Sequence, residues 1–102
     1  MEKRKHKRFF KRLEARFSSG GKSFVGTSSN LSESGLFIRT NRGFVPGSVV
    51  DIELTTPHGV SFLKGIVKRT SRTSPAIKNG MGVELTEKDT TYINFLKFLT
   101  KT

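Results

Sequence analysis

Two short groups of polar residues in this 102-residue chain have the types and spacing to bind a small ligand. Arg4 and Arg8 form an Arg-x-x-x-Arg pair, and residues four apart point the same way in an extended segment or a helical turn. The planar arginine fork binds phosphate, or the O6/N7 edge of guanine, in a bidentate manner. Asn30, Ser32 and Gly35 supply an amide, a hydroxyl and a position of close backbone approach. Together they predict a surface pocket for a ligand with purine and phosphate character.

The arginine pair can be read in two registers. Arg8 and Arg12 are also four residues apart, so Arg8 belongs to either pair. We prefer Arg4 with Arg8, because Phe9 and Phe10 resemble the start of the folded, apolar part of the chain.

Positive charge is concentrated at the N-terminus. Residues 1–16 hold eight basic side chains and two acidic ones, which is more than half of the formal net charge of +11. We therefore divide the chain into a basic arm, residues 1–11, and a folded domain, residues 12–102. Lys5 and Lys7 add charge beside the arginines without a specific geometry. Such an arm must repel itself in solution or meet an anionic partner.

Composition excludes several classes of protein. The chain has no cysteine, so it forms no disulfide and no thiolate metal site, which suits a reducing cytoplasm. The sequence shows no metal-ligand spacing and no nucleophile–base set, so we predict no metal, no cofactor and no enzymatic activity. No apolar run approaches the roughly 20 residues of a membrane span, and no apolar segment of a secretory signal follows the basic N-terminus. We expect a cytoplasmic protein.

Short apolar stretches separated by turn residues predict an all-β domain. The six predicted strands are residues 12–18, residues 22–30, residues 36–38, residues 48–55, residues 60–70 and a segment around Met81, Val83 and Leu85. Residues 71–79 form a polar loop. Six strands with short connections indicate a small closed or nearly closed barrel, since closure removes exposed edges.

Two features of the predicted domain follow from the placement of apolar residues. Val60 and Phe62 have one parity and Leu63 and Val67 the other, so we expect a bulge or a sharp coil near Gly65 that changes the face of the strand. With nine Phe, one Tyr and no Trp, much of the core must come from phenylalanine.

The C-terminal segment changes from a period of two to the period of a helix. Tyr92, Phe95, Leu96 and Leu99 follow i, i+3, i+4, i+7 spacing and predict an amphipathic helix that covers one end or one side of the barrel. Residues 86–89, Thr-Glu-Lys-Asp, resemble an N-cap followed by acids in the first turn.

The two polar groups, taken in order, resemble the motifs of the PilZ family of bacterial cyclic di-GMP receptors. The resemblance continues through residues 35–38, the Pro46-Gly47 turn and residues 81–85, and it covers essentially the whole chain, as in a stand-alone PilZ domain. It implies a six-stranded antiparallel β-barrel with a C-terminal helix, which agrees with the strand and helix pattern.

The resemblance also implies a role for each motif residue. Arg4 and Arg8 would wrap cyclic di-GMP through its phosphates and guanine edges, and Asn30 and Ser32 would contact guanine from the barrel. Gly35 would permit a tight turn beside the ligand. Binding would then order the N-terminal arm, and the ordered arm would signal to a downstream partner protein.

Two alternatives remain open at the level of sequence. A basic barrel could bind nucleic acid through the same arm, with Phe9, Phe10 and Phe37 as stacking platforms for bases. A PilZ-like domain could also be a protein-interaction module that binds no nucleotide. Saturable, guanine-specific binding would favour the receptor, whereas steep salt dependence with long polyanions would favour nucleic acid.

Overall fold

Alternating apolar side chains build six antiparallel strands, and a helix follows them. The computed structural model describes residues 7–71 and 79–101, so most of the predicted loop 71–79 lies outside the described residues. The elements are β1 (Glu14–Ser19), β2 (Lys22–Leu31), β3 (Gly35–Arg39), β4 (Val49–Thr56), β5 (Gly59–Ser71), β6 (Gly80–Glu87) and α1 (Thr90–Thr100). The strands close into a barrel in the order β1-β2-β3-β6-β5-β4. The predicted fold class is confirmed.

The barrel core is mainly aliphatic, so the prediction of a phenylalanine-rich core is wrong. Of the nine Phe residues, only Phe17 and Phe95 are buried. The inward face of β4 is typical of the rest, with Val50, Ile52 and Leu54 all buried. A barrel with fewer strands is narrower, so the interior of a six-stranded barrel has room for few aromatic rings.

Strand β5 contains the predicted irregularity but not the predicted change of face. The register between β5 and β6 shifts between Lys64 and Gly65, as expected. The buried, inward positions nevertheless alternate without interruption along Ser61, Leu63, Gly65 and Val67. The bulge therefore changes the pairing of β5 and leaves its two faces as they were.

Val60 and Phe62 consequently point outward, with 45% and 61% of their surface exposed. The inward position between them belongs to Ser61, which is fully buried. Burial of this hydroxyl is tolerated because it donates a hydrogen bond of 2.7 Å to Asp89 Oδ1. The hydrogen bond between Ser61 and Asp89 therefore allows a polar residue on the inward face of β5, and the hydrophobic pattern of the sequence does not encode it.

Asp89 is the N-cap of α1, and it also fastens the helix to β5. Its carboxylate accepts from Tyr92 N at 3.0 Å, from Ser61 Oγ at 2.7 Å and from Phe62 N at 2.7 Å. Burial raises the pKa of this carboxyl, but the hydrogen bonds outweigh it and hold the pKa below its ordinary value of 3.8. The predicted cap is corrected in detail: Thr86 and Glu87 belong to β6, and the first turn of the helix has no acid.

The apolar stripe of α1 is buried against the barrel as predicted, through Tyr92, Phe95, Leu96 and Leu99. Tyr92 is fully buried, and its hydroxyl donates a hydrogen bond of 2.7 Å to the backbone carbonyl of Ser32. Burial raises the pKa of this hydroxyl well above its ordinary value of 10.0, so it remains a donor. In the part of the chain that the structure describes, the helix has 11 residues and is too short to cross a bilayer, which takes about 20.

Candidate ligand-binding site

Four segments of the chain meet around an open cleft on the outer surface of the barrel. Its volume is about 420 Å³, within the usual range for sites that hold small ligands. We name it the motif cleft, and it is lined by Arg8, Asn30, Ser32, Ser34, Gly35, Leu36, Phe37, Lys68, Arg69, Gly82, Val83 and Glu84. Arg8, Asn30, Ser32 and Gly35 are thus brought together, while Arg4 and Lys5 lie outside the described residues.

Arg8 is positioned by its neighbour Phe9. The backbone of Phe9 pairs with Leu31 through two hydrogen bonds of 2.8 Å, and its ring packs against the core. Because side chains alternate along this extended segment, Arg8 reaches the motif cleft while Lys7 does not. The Lys7 ammonium lies 5.7 Å from the centroid of the Phe9 ring and lines a second cleft.

Arg12 lies outside the motif cleft. The backbone on either side of it is held by Ser28, whose hydroxyl donates to the Lys11 carbonyl at 2.7 Å and accepts from Leu13 N at 2.9 Å. Arg12 is exposed and does not line the cleft. Phe10 is 80% exposed, so the expectation that it begins the apolar part of the fold is wrong, whereas Phe9 does pack against the core.

Asn30 reaches the cleft because β2 is bulged. The register between β2 and β3 shifts between Ser28 and Asn30, which inserts an extra residue there. Ser28 and Leu31 are both buried, whereas strict alternation from Ser28 would have turned Asn30 inward. The Asn30 amide makes no hydrogen bond with the other described residues, so its donors and acceptor remain available to a ligand.

Ser32 organises the loop between β2 and β3. Its hydroxyl accepts from Ser34 N at 3.3 Å and from Gly35 N at 3.2 Å, and its own N–H donates to the Gly35 carbonyl at 2.8 Å. Only 6% of Ser32 is exposed. These hydrogen bonds form a local turn in which the serine hydroxyl binds the backbone two and three residues further on. Ser32 therefore shapes the wall of the cleft as well as lining it.

Gly35 is required by the strand behind it. A Cβ at this position would clash with the backbone carbonyl oxygen of Val83 on β6. Its φ is not positive, so backbone conformation alone does not demand glycine here. The glycine is explained by close packing of β3 on β6 at the cleft wall.

A row of four paired residues crosses the barrel surface beneath the cleft. Asn30 pairs with Phe37, Phe37 with Gly82, and Gly82 with Arg69. A Cβ on Gly82 would lie 3.5 Å from Cγ and Nε of Arg69, so the missing side chain leaves a slot between the Phe37 ring and the guanidinium. An amide, an aromatic ring and a guanidinium around a slot suit a flat heteroaromatic ligand.

Sequence reasoning missed Arg69 and Lys68 as cleft residues. Both stand on β5, and only the register of the closed barrel brings this strand beside Asn30. Gly82 was the available signal, because a glycine within a strand often marks close approach by a ligand or by another backbone.

The motif cleft carries a positive charge. Arg8, Lys68 and Arg69 face one acid, Glu84, whose Oε1 lies 3.5 Å from Lys68 Nζ. Such a surface attracts anions such as phosphates. Within residues 7–71 and 79–101, no cluster of three or more metal-ligating side chains is found.

The profile of the PilZ domain family matches residues 2–100. The chain therefore belongs to the PilZ domain family. PilZ domains are non-enzymatic receptor and adaptor domains, and the family binds cyclic di-GMP as a ligand.

Comparison with solved structures supports the fold. The chain is similar to the structure of the Bacillus subtilis inhibitor of motility, MotI/DgrA, with a TM-score of 0.72 and 17% identity. The match covers 87% of this chain and 45% of that chain, so this chain spans less than half of that protein's length. A comparison with curated protein sequences gives no match.

Proposed function

We propose that this PilZ domain is a receptor for cyclic di-GMP, acting in the cytoplasm, and that it binds this ligand in the motif cleft. The observation that carries the proposal is the convergence of Arg8, Asn30, Ser32 and Gly35, which are dispersed in sequence, on one positively charged cleft. The family match adds support, because cyclic di-GMP is the ligand of this family.

Each cleft residue has a proposed role. Arg8, joined by Arg4, binds phosphate and the guanine edge, and Asn30 pairs with guanine from the barrel surface. Ser32 holds the loop in shape. Phe37 and Arg69 flank the base from either side of Gly82. Lys68 contributes charge within the cleft, and Lys5 and Lys7 add positive charge from the arm, although Lys7 lies outside the motif cleft.

The proposed change on binding is limited to the first part of the arm. Phe9 and Lys11 are hydrogen-bonded to β2. The backbone from Phe9 onward is therefore part of the barrel wall, and we place the ligand-dependent ordering in the residues that precede it. Arg4 belongs to this part of the arm, and we propose that it contacts the bound ligand.

Calorimetric titration with cyclic di-GMP tests the proposal. We expect saturable binding by the wild type and none with GTP under the same conditions. Arg8→Ala should weaken binding by roughly 10- to 150-fold, since a hydrogen bond to a charged group contributes about 1.5–3 kcal/mol. Arg12→Ala is the matched control, because it removes the same charge outside the cleft and should leave affinity unchanged.

The same titration decides between the receptor and its alternatives. If Arg12→Ala weakens binding as much as Arg8→Ala, the arginines act through general charge and the assignment of Arg8 is wrong.

The exposure of Phe10 favours the nucleic-acid alternative, because an aromatic side chain 80% exposed in a basic arm can stack on a base. Salt-dependent binding of single-stranded nucleic acid, lost in Phe10→Ala, together with no binding of cyclic di-GMP, would support that alternative. Binding of neither ligand would leave a protein-interaction module.

A further inference from the structure

A second cleft lies directly behind the motif cleft, between the arm and α1. Its volume is about 190 Å³. We name it the helix cleft, and its lining includes Lys7, Phe9, Glu33, Ile93, Leu96 and Lys97. Three segments build it: the arm, the loop between β2 and β3, and one side of the helix.

The two clefts share a wall. That wall consists of residues 7–9 and residues 32–34, joined where Phe9 pairs with Leu31. Side chains on the two segments alternate between the clefts: Arg8, Ser32 and Ser34 line the motif cleft, and Lys7, Phe9 and Glu33 line the helix cleft. A shift of this wall therefore changes both clefts at once.

The shared wall is also bonded to the helix that forms the far side of the helix cleft. Tyr92 on α1 donates a hydrogen bond of 2.7 Å to the carbonyl of Ser32. This hydrogen bond connects the loop that carries Ser32 and Glu33 to α1, so the position of the loop sets the width of the helix cleft. The contacts form a continuous path from Arg8 and Ser32 to the helix.

The chemistry of the helix cleft suits one kind of occupant. Phe9, Ile93 and Leu96 supply carbon surface, and none of these three side chains is exposed as a whole. Lys7 and Lys97 are exposed at the rim, against one acid, Glu33. A second copy of the chain would bring another net charge of +11 to a positive rim, which disfavours self-association.

We propose that the helix cleft docks an acidic amphipathic segment of a partner protein, and that cyclic di-GMP in the motif cleft changes the affinity of this docking through the shared wall. The linkage rests on the proposed function. By thermodynamic reciprocity, the docked segment must change the affinity for cyclic di-GMP by the same factor.

The test uses the full chain and a labelled amphipathic peptide with leucine on one face and glutamate on the other. A peptide with lysine in place of glutamate is its control. Fluorescence anisotropy should show binding of the acidic peptide only. Lys97→Glu should weaken this binding about tenfold, because it places like charge at the rim. Lys22→Glu is the matched variant, since Lys22 is exposed at the far end of β2, about 30 Å from Leu31 along the strand.

Titration of the peptide with and without saturating cyclic di-GMP measures the linkage. We expect a change in peptide affinity of at least about fivefold, the lower end of typical coupling between two sites. An unchanged peptide affinity, in a protein that calorimetry shows to bind cyclic di-GMP, would overturn the linkage while the proposed function stands. Absence of cyclic di-GMP binding would overturn the proposed function and the linkage. If the peptide still bound to such a protein in a Lys97-dependent manner, the docking site would stand.

Three results would overturn the docking site itself. The first is failure of the acidic peptide to bind in either state. The second is equal weakening by Lys97→Glu and Lys22→Glu, which would show attraction to the overall charge. The third is Lys97-dependent binding to vesicles of anionic lipid with none to the peptide, which would identify a membrane surface as the occupant. Circular dichroism of each variant checks that α1 is retained.

Discussion

The motif cleft and the region where α1 packs on the barrel differ in how their polar groups are satisfied. Under the helix, the Asp89 carboxylate accepts three hydrogen bonds and the buried Tyr92 hydroxyl donates one. Among the described residues, no buried side-chain polar atom lacks a partner. In the motif cleft, the side chains of Arg8, Asn30 and Arg69 make no hydrogen bond with another described residue.

This difference separates stability from binding. A polar group satisfied inside the protein stabilises the fold and has little left for a ligand, whereas an exposed, unpaired group costs the fold little and can bind. Ser32 joins the two regions, because its hydroxyl shapes the cleft wall and its carbonyl accepts from Tyr92. Substitutions in the two regions should therefore affect different measurements, except along this connection.

Among the polar groups of the two regions, Asp89 should have the largest effect on stability, measured in the Asp89→Ala variant. The variant loses the N-cap and the two hydrogen bonds that fasten the helix to β5, at a cost of about 2–4 kcal/mol in the free energy of unfolding. Urea denaturation measures this loss. Affinity for cyclic di-GMP should change little in the folded variant, since Asp89 does not line the motif cleft.

The effect of Asp89 should also depend on pH. Its pKa is lowered in the folded state, so its contribution is complete above the ordinary value of 3.8 and is lost as the pH falls through the lower folded value. The difference in unfolding free energy between wild type and Asp89→Asn should be greatest near neutral pH and should shrink in acid. A difference that stays constant down to the acid transition would contradict this assignment.

Gly35→Ala should affect both measurements. Its Cβ would meet the Val83 carbonyl, so β3 and β6 must separate, at a cost of about 1–3 kcal/mol and with a distorted cleft wall. Gly82→Ala is the matched control, because a Cβ there lies no closer than 3.5 Å to its neighbours. We expect it to change stability by less than about 0.5 kcal/mol but to fill the slot and weaken cyclic di-GMP binding about tenfold. Equal behaviour of the two variants would remove the slot from the proposed site.

Tyr92→Phe tests the connection between the two regions. It leaves the Ser32 carbonyl without its hydrogen bond and should cost about 1 kcal/mol of stability. Because the loop is then less firmly held, affinity for cyclic di-GMP should fall severalfold although Tyr92 does not line the motif cleft. Unchanged affinity in calorimetry would show that the loop keeps its shape without the helix.

The smallest effect should come from Phe62→Ser. The hydrophobic pattern alone predicts a role for Phe62 inside the barrel, whereas its exposed fraction of 61% predicts a change in stability within about 0.5 kcal/mol. Leu63→Ser, its buried neighbour on the same strand, is the control and should prevent or severely weaken folding. Thermal denaturation of the two variants compares them directly.

Much of the fold was predictable because it depends on local periodicity. The alternation of Val50, Ile52 and Leu54 defines an inward strand face, and the spacing of Tyr92 and Leu99 defines a helix stripe. The errors lie where a tertiary contact overrides the pattern. Ser61 occupies an inward position because Asp89 satisfies its hydroxyl, and neither residue is near the other in sequence.

Part of the candidate site was predictable for a different reason. Arg8, Asn30, Ser32 and Gly35 were identified from residue type and spacing, and they line one cleft. Arg69 was not identified, because nothing local to β5 shows which strand will lie beside it. The β2 bulge that turns Asn30 outward was also missed.

The sequence by itself determined the strands, the amphipathic helix, the basic arm and the two polar motifs, because each depends on residues close together in the chain. Only the tertiary structure decided which side chains meet. Closure of the barrel places Arg69 across Gly82 from Phe37 and sets Arg8 and Phe9 on opposite sides of a shared wall. Strand register and hydrogen bonds between distant residues make these choices, and local periodicity carries no record of either.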